Sequence, residues 1–106
     1  MKKGRETEHQ IYTIGQITDK LTALFASESV KRAVLFGSYA KGEARNKSDI
    51  DLVVESELKG LAFVGLVGRI RDALDRDVDV LDVTHIEKGS KVALEVEKSG
   101  VIIYEK

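Results

Sequence analysis

Three aspartates and a glycine–serine pair are the residues of this sequence best suited to chemistry. In "VLFGSYAKGEARNKSDIDLVVE", Val34 to Glu55, an apolar run ends in Gly37 and Ser38, and two alternating aspartates, Asp49 and Asp51, open a second apolar run. On an extended strand Asp49 and Asp51 project to one face and Ile50 and Leu52 to the other, with the aspartate Cα atoms ~6.6 Å apart. Carboxylates so placed can lean inward on divalent cations ~3.5–4 Å apart, as two-metal phosphoryl transfer requires. The plainer alternative is an amphipathic strand whose polar face meets water, the usual place for a carboxylate. A third acid shifts the balance, because "RDVDVLDV" holds Asp79 between Val78 and Val80 in another strand-like run. Asp77 shares its face but sits at the strand edge, and Asp82 has the opposite parity, so alternation selects Asp79. If the two strands are neighbours, three bare carboxylates ~5 Å apart repel by ~3 kcal/mol per pair at an effective dielectric of ~20. Divalent cations remove that repulsion, so the set makes better sense with metal than without.

The glycine–serine pair offers a complementary chemistry. A glycine at a strand end lets the backbone approach a ligand, and Ser38 can cap a turn and present its hydroxyl. The free amides of such a turn suit phosphate. An ordinary turn is the alternative, since glycine and serine are common in turns. The phosphate loop of ATPases is excluded: Gly37 and Gly42 have its separation, but Glu43 and Ala44 stand where lysine and serine or threonine are required. Gly37→Val is expected to block a phosphate ligand sterically and leave the fold intact. Lys41, Arg45 and Lys47 can lend positive potential or be solvated loop charges.

These residues need strands and helices to hold them. Ile11, Ile14, Ile17, Leu21, Leu24 and Phe25 recur at helical spacing, predicting a helix over roughly 11–27. "KRAVLFG" reads as a buried strand, "SYAKGEARN" as a helical turn and loop, and "SDIDLVVE" as a second strand. Apolar positions 63, 66, 67, 70 and 74 predict an amphipathic helix in "KGLAFVGLVGRIRDALD", weakened by Gly65 and Gly68. "DVDVLDV" is a third strand, "EKGSKVALEVEKSG" a helix stopping near Gly100, and "VIIYE" a last strand in which Tyr104 is packing. His9 and His85 lack a second histidine at ligand spacing and are given no role.

Composition sets outer bounds. The 106 residues, 42% apolar and 33% charged, suit one α/β domain over 1–106, with 1–10 expected to be flexible. The longest apolar run, "LAFVGLVG", is too short to span a bilayer, and the charged start lacks a signal-type apolar core. The absence of cysteine excludes disulfides and thiolate zinc and fits a reducing cytoplasm. A net charge of −1 supplies no basic excess for direct nucleic-acid binding.

The stretch "GSYAKGEARNKSDIDL" closely resembles the motif of the DNA polymerase beta-like nucleotidyltransferases. That motif is glycine–serine, ten intervening residues, then D-x-D, and Ser48 and the apolar-Asp-apolar element around Asp79 match too. Within that superfamily the chain is similar to the minimal nucleotidyltransferase (MNT) antitoxins often encoded beside a HEPN-domain partner. The resemblance implies a small mixed sheet with helices packed on one side. It implies that Gly37 and Ser38 bind a nucleoside triphosphate, with ATP as substrate. It further implies that Asp49, Asp51 and Asp79 hold Mg2+ (two ions, with Mn2+ as a substitute) and act in catalysis. The implied reaction is AMP transfer to a tyrosine of a HEPN toxin. The family often has arginine where this chain has Lys41, a point charge in place of a bidentate fork. Two readings stay open: an active adenylyltransferase, or a module that binds nucleotide or neutralises its partner by contact alone. Transfer to a small molecule is less favoured, because 106 residues leave no room for a further acceptor domain. The base, the acceptor and the oligomeric state are not specified by any motif.

Overall fold

The computed structural model describes residues 11–106, so His9 and the expectation for 1–10 lie outside the described residues. The order is α1 (Ile14–Ser27), β1 (Val30–Phe36), β2 (Ile50–Ser56), α2 (Leu61–Leu74), β3 (Val78–Asp82), a 3-10 turn (Val83–His85), α3 (Lys91–Ser99) and β4 (Val101–Glu105). Helix α1 begins three residues later than its apolar pattern suggests. Thr13 is its N-cap and Gln16 returns the bond, a capping box that fixes the first turn. Ile11 therefore precedes the helix and is exposed. Helix α3 is also shorter than expected, because Gly89 takes φ +78° and Ser90 caps the helix through Ala93 N–H.

The four strands form one mixed sheet in the order β3-β2-β1-β4. β1 is antiparallel to both β2 and β4, whereas β2 and β3 are parallel and joined by α2. Strand alternation sorts the two faces. Ala33, Leu35, Ile50, Leu52, Val54 and Val78 join the stripes Ile17–Leu21–Phe25 of α1 and Leu66–Ile70–Leu74 of α2 in one buried cluster. A register shift between Val30 and Arg32 lets Val30 face that core as well. Tyr104 packs its ring against Phe25 with centroids 5.5 Å apart. The opposite parity places Asp51 on the far face of the sheet. The layering expected from the sequence thus describes α1 and α2, while α3 differs. It packs against β1 on the Asp51 side, where Val96 lines a small cavity with Val34 and Val53, and none of its residues is fully buried.

Among the described residues no helix is long and apolar enough to cross a membrane. The core argument makes a paired prediction. Leu66→Ala, at a fully buried site, should lower stability by about 2–5 kcal/mol, with an unchanged denaturant slope. Leu61→Ala on the same helix, 88% exposed, should stay within about 0.5 kcal/mol of the parent. Urea titrations of the three proteins check both.

Candidate active site

The register of the sheet builds the site. Asp51 on β2 lies opposite Phe36 on β1 and opposite Asp79 on β3. The sequence argument had required the two aspartate strands to be neighbours, and they are. Asp49 lies one residue before β2 and is exposed, as is Asp79, while Asp51 is half-buried between them. Asp77 falls just outside β3. Asp82 ends the strand and is structural: its Oδ1 accepts from Thr84 N–H at 2.9 Å and from the Thr84 hydroxyl at 2.8 Å. The backbone bond comes first among the causes that hold its carboxyl below the ordinary range. His85 ends the 3-10 turn and is exposed.

Gly37 follows β1 with φ +78°, and a Cβ there would collide with Asp51 Oδ2. Valine at this position would strain the backbone and displace Asp51, so it would disturb more than ligand access. The expectation of an otherwise intact fold is therefore corrected. Only glycine lets the chain turn here while Asp51 stays in place. After it, residues 38–42 form a single turn, closed by Lys41 N–H to Gly37 O at 3.2 Å and Glu43 N–H to Ser38 O at 2.9 Å. One turn has little macrodipole, so any attraction it offers an anion rests on its amides and the Ser38 hydroxyl. Ser48 shapes the approach to Asp49, its Oγ accepting from Arg45 N–H at 2.8 Å.

A second set of contacts fixes this turn against the rest of the chain. Tyr39 is buried, and its hydroxyl accepts from Arg76 Nη1 at 3.3 Å. The Arg76 guanidinium also covers the Tyr12 ring at 4.0 Å, and the Tyr12 hydroxyl donates to Leu74 O at 2.9 Å. Arg76 sits two residues before β3, so the turn after Gly37 and the strand carrying Asp79 are tied together. Neither Tyr39 nor Arg76 stands out by spacing in the sequence, and neither does Glu95 of α3. Glu95 faces the site: Lys41 Nζ lies 3.5 Å from its Oε2. Arg45 and Lys47 are exposed on the loop.

Electrostatics concentrate on Asp51. Burial pushes its carboxyl up to about 6, and the like charges of Asp79, Asp49 and Glu95 add to the shift. A side-chain hydrogen bond with Asp79 raises it further. Among the described residues no three acidic or imidazole side chains stand close enough to enclose a metal ion by themselves. The donors are hard carboxylate oxygens on an open sheet end, which suits Mg2+ or Mn2+ completed by water and phosphate oxygens. A cation would also relieve the like charge that adds to the effect of burial on Asp51. In that sense the residues fit the ion.

A strand-end glycine–serine turn beside acids on adjacent strands of a small mixed sheet is the arrangement of a nucleotidyltransferase core. The sequence pattern of the family "Polymerase beta, Nucleotidyltransferase" matches residues 19–106, and the chain belongs to that family. A proposed protein adenylyltransferase of Methanocaldococcus jannaschii is 40% identical over 75 residues, which are 69% of this chain and 81% of the relative. The fold is similar to a chain of a toxin–antitoxin crystal structure with AMP-PNP. The TM-score is 0.68 at 29% identity, covering 84% of this chain and 73% of the other. It is similar too to a chain in the complex of tri-AMPylated Shewanella oneidensis HEPN toxin with MNT antitoxin. There the TM-score is 0.63 at 25% identity, covering 89% and 74% of the two chains.

The Asp51 shift gives a pH prediction for metal-free protein. The folded carboxyl keeps its proton to about pH 6 while the unfolded one ionises near 3.8, so Asp51 makes stability fall as pH rises through that window. Asp82 acts in the opposite sense, losing its contribution as pH falls. Asp51→Asn should therefore be more stable than the parent at pH 7.5 in EDTA by about 1–2 kcal/mol, after discounting for partial exposure. At pH 3.5 the two should coincide. Denaturant midpoints at both pH values read the difference.

Proposed function

We propose that the chain is a metal-dependent protein adenylyltransferase. On this reading it transfers AMP from ATP to a hydroxyl side chain, a tyrosine, of a HEPN-type toxin and acts as its antitoxin in the cytoplasm. The observation that carries this reading is the register pairing of Asp51 with Asp79 beside Gly37. The proposed division of labour follows from the positions. The amides of the turn after Gly37 and the Ser38 hydroxyl hold the triphosphate. Asp49 and Asp51 are the ligands on the nucleotide side, and Asp79, exposed on the edge strand, is the acid an incoming acceptor can reach. A bound divalent cation would neutralise phosphate charge and lower the acceptor's pKa. Asp79 takes the proton from the acceptor hydroxyl, whose oxygen then bonds to the α-phosphorus. The bond from that phosphorus to the bridging oxygen of pyrophosphate breaks, and pyrophosphate leaves.

Two likenesses support the acceptor assignment. One relative is a proposed protein adenylyltransferase, and one similar solved complex contains an AMPylated HEPN toxin beside its antitoxin. The AMP-PNP complex favours an adenine nucleotide. Asp79→Asn should keep much of the ATP affinity, which rests on Gly37, Ser38, Asp49 and Asp51. Its transfer rate should drop by about 10²–10⁴-fold if proton removal is the main service of Asp79. Mass spectrometry of a co-encoded HEPN partner, after incubation with ATP and Mg2+, checks this: added AMP with the parent protein, little or none with Asp79→Asn. Silencing of the partner by the parent protein without added mass would instead favour neutralisation by contact.

A further inference from the structure

Lys41 begins beside the strand-end turn, since its amide donates to Gly37 O. Its ammonium reaches across to Glu95 on α3, 3.5 Å away, with the two side chains 42% and 34% exposed. The pair flanks an open cavity of about 510 Å3 that is also lined by Leu94, Lys98 and Ser99. Glu95 is near enough to Asp51 to act on its carboxyl as a like charge. The cation closest in sequence to the glycine turn is thus already neutralised, and by an acid that itself faces the site.

We propose that Glu95 is a positioning residue that acts through Lys41, withholding its ammonium from nucleotide phosphates until a divalent cation has arrived, and so couples nucleotide binding to metal. The proposal rests on the nucleotidyltransferase reading of the site. A triphosphate arriving alone meets Asp49, Asp51, Asp79 and Glu95 while Lys41 is engaged, and like charges repel it. A triphosphate arriving with its cation meets carboxylates that now have a positive partner. The Lys41–Glu95 contact is single and half-exposed, hence weak and readily exchanged. Lysine suits such an exchange, being a point charge on a flexible stem without a fixed bidentate geometry.

The test is ATP affinity by calorimetry, in EDTA and in excess Mg2+, for the parent, Glu95→Gln, Lys41→Ala and the double variant. Glutamine keeps the shape of a half-exposed glutamate, and Glu95→Ala serves as a second route to the same loss of charge. In EDTA, removing the Glu95 charge should tighten ATP binding about three- to fivefold, the scale of an exposed ion pair. In Mg2+ the gain should shrink below about twofold, and with Lys41→Ala it should vanish under both conditions. Equal affinity of parent and Glu95→Gln in EDTA would overturn the proposal. So would a gain that persists in Mg2+, or one that survives Lys41→Ala, which would be a bare field effect. A parent that binds no ATP even with Mg2+ would instead bring down the nucleotidyltransferase reading, and this proposal with it.

Discussion

A half-buried carboxylate with like charges gathered around it, Asp51, is the constraint on which the rest of the structure depends. Pairing β2 with β3 in parallel sets Asp51 beside Asp79, and the loop before β2 brings Asp49 to the same end. Among the described residues no cation relieves Asp51, whose carboxyl is pushed up to about 6. Such an arrangement opposes folding and must be offset elsewhere. The offset is hydrophobic burial on the other face, where two helices close over the sheet with stripes that are fully inaccessible at six positions. The sheet therefore separates two demands, with apolar residues on one parity securing the fold and the acids gathered on the other.

Holding the acids is only half of the task, because the turn after Gly37 must stay in register with them. Gly37 accomplishes this on one side by letting β1 turn directly against Asp51. Tyr39 and Arg76 do so on the other, joining the turn to the residues that lead into β3. Tyr12 extends the brace from the start of α1 to the end of α2. Preorganisation of this kind matters for group transfer, since small misplacements of charged groups lower rates steeply.

Much of this was legible in the sequence, and the misses have physical causes. The period-2 pattern around Asp51 and the stripes of α1 and α2, which recur every four residues, are strong because those elements bury one face, while β3 fully buries only Val78. The facing of Asp79 could be read from parity, but its neighbour could not, since strand order depends on the whole topology. The apolar pattern of α1 runs back to Ile11, but the start signal is Thr13 with Gln16 three residues on. Helix α3 was overextended for a similar reason, the cap at Ser90 being the deciding residue. Glu95 had no signal at all: it lies 95 − 51 = 44 positions beyond Asp51, on a helix with no fully buried residue. Nothing in its spacing places α3 on the acid face.

The central claim is that the acids around Asp51 bind nucleotide through a divalent cation. The most direct measurement is a calorimetric titration of a non-hydrolysable ATP analogue, with and without Mn2+, into the parent protein and into a protein carrying Asp49→Asn and Asp51→Asn. The account predicts that Mn2+ strengthens nucleotide binding to the parent by about tenfold or more, roughly 1.4 kcal/mol. It predicts that this metal-dependent gain disappears in the folded double variant. The same metal-dependent gain in both proteins would contradict it.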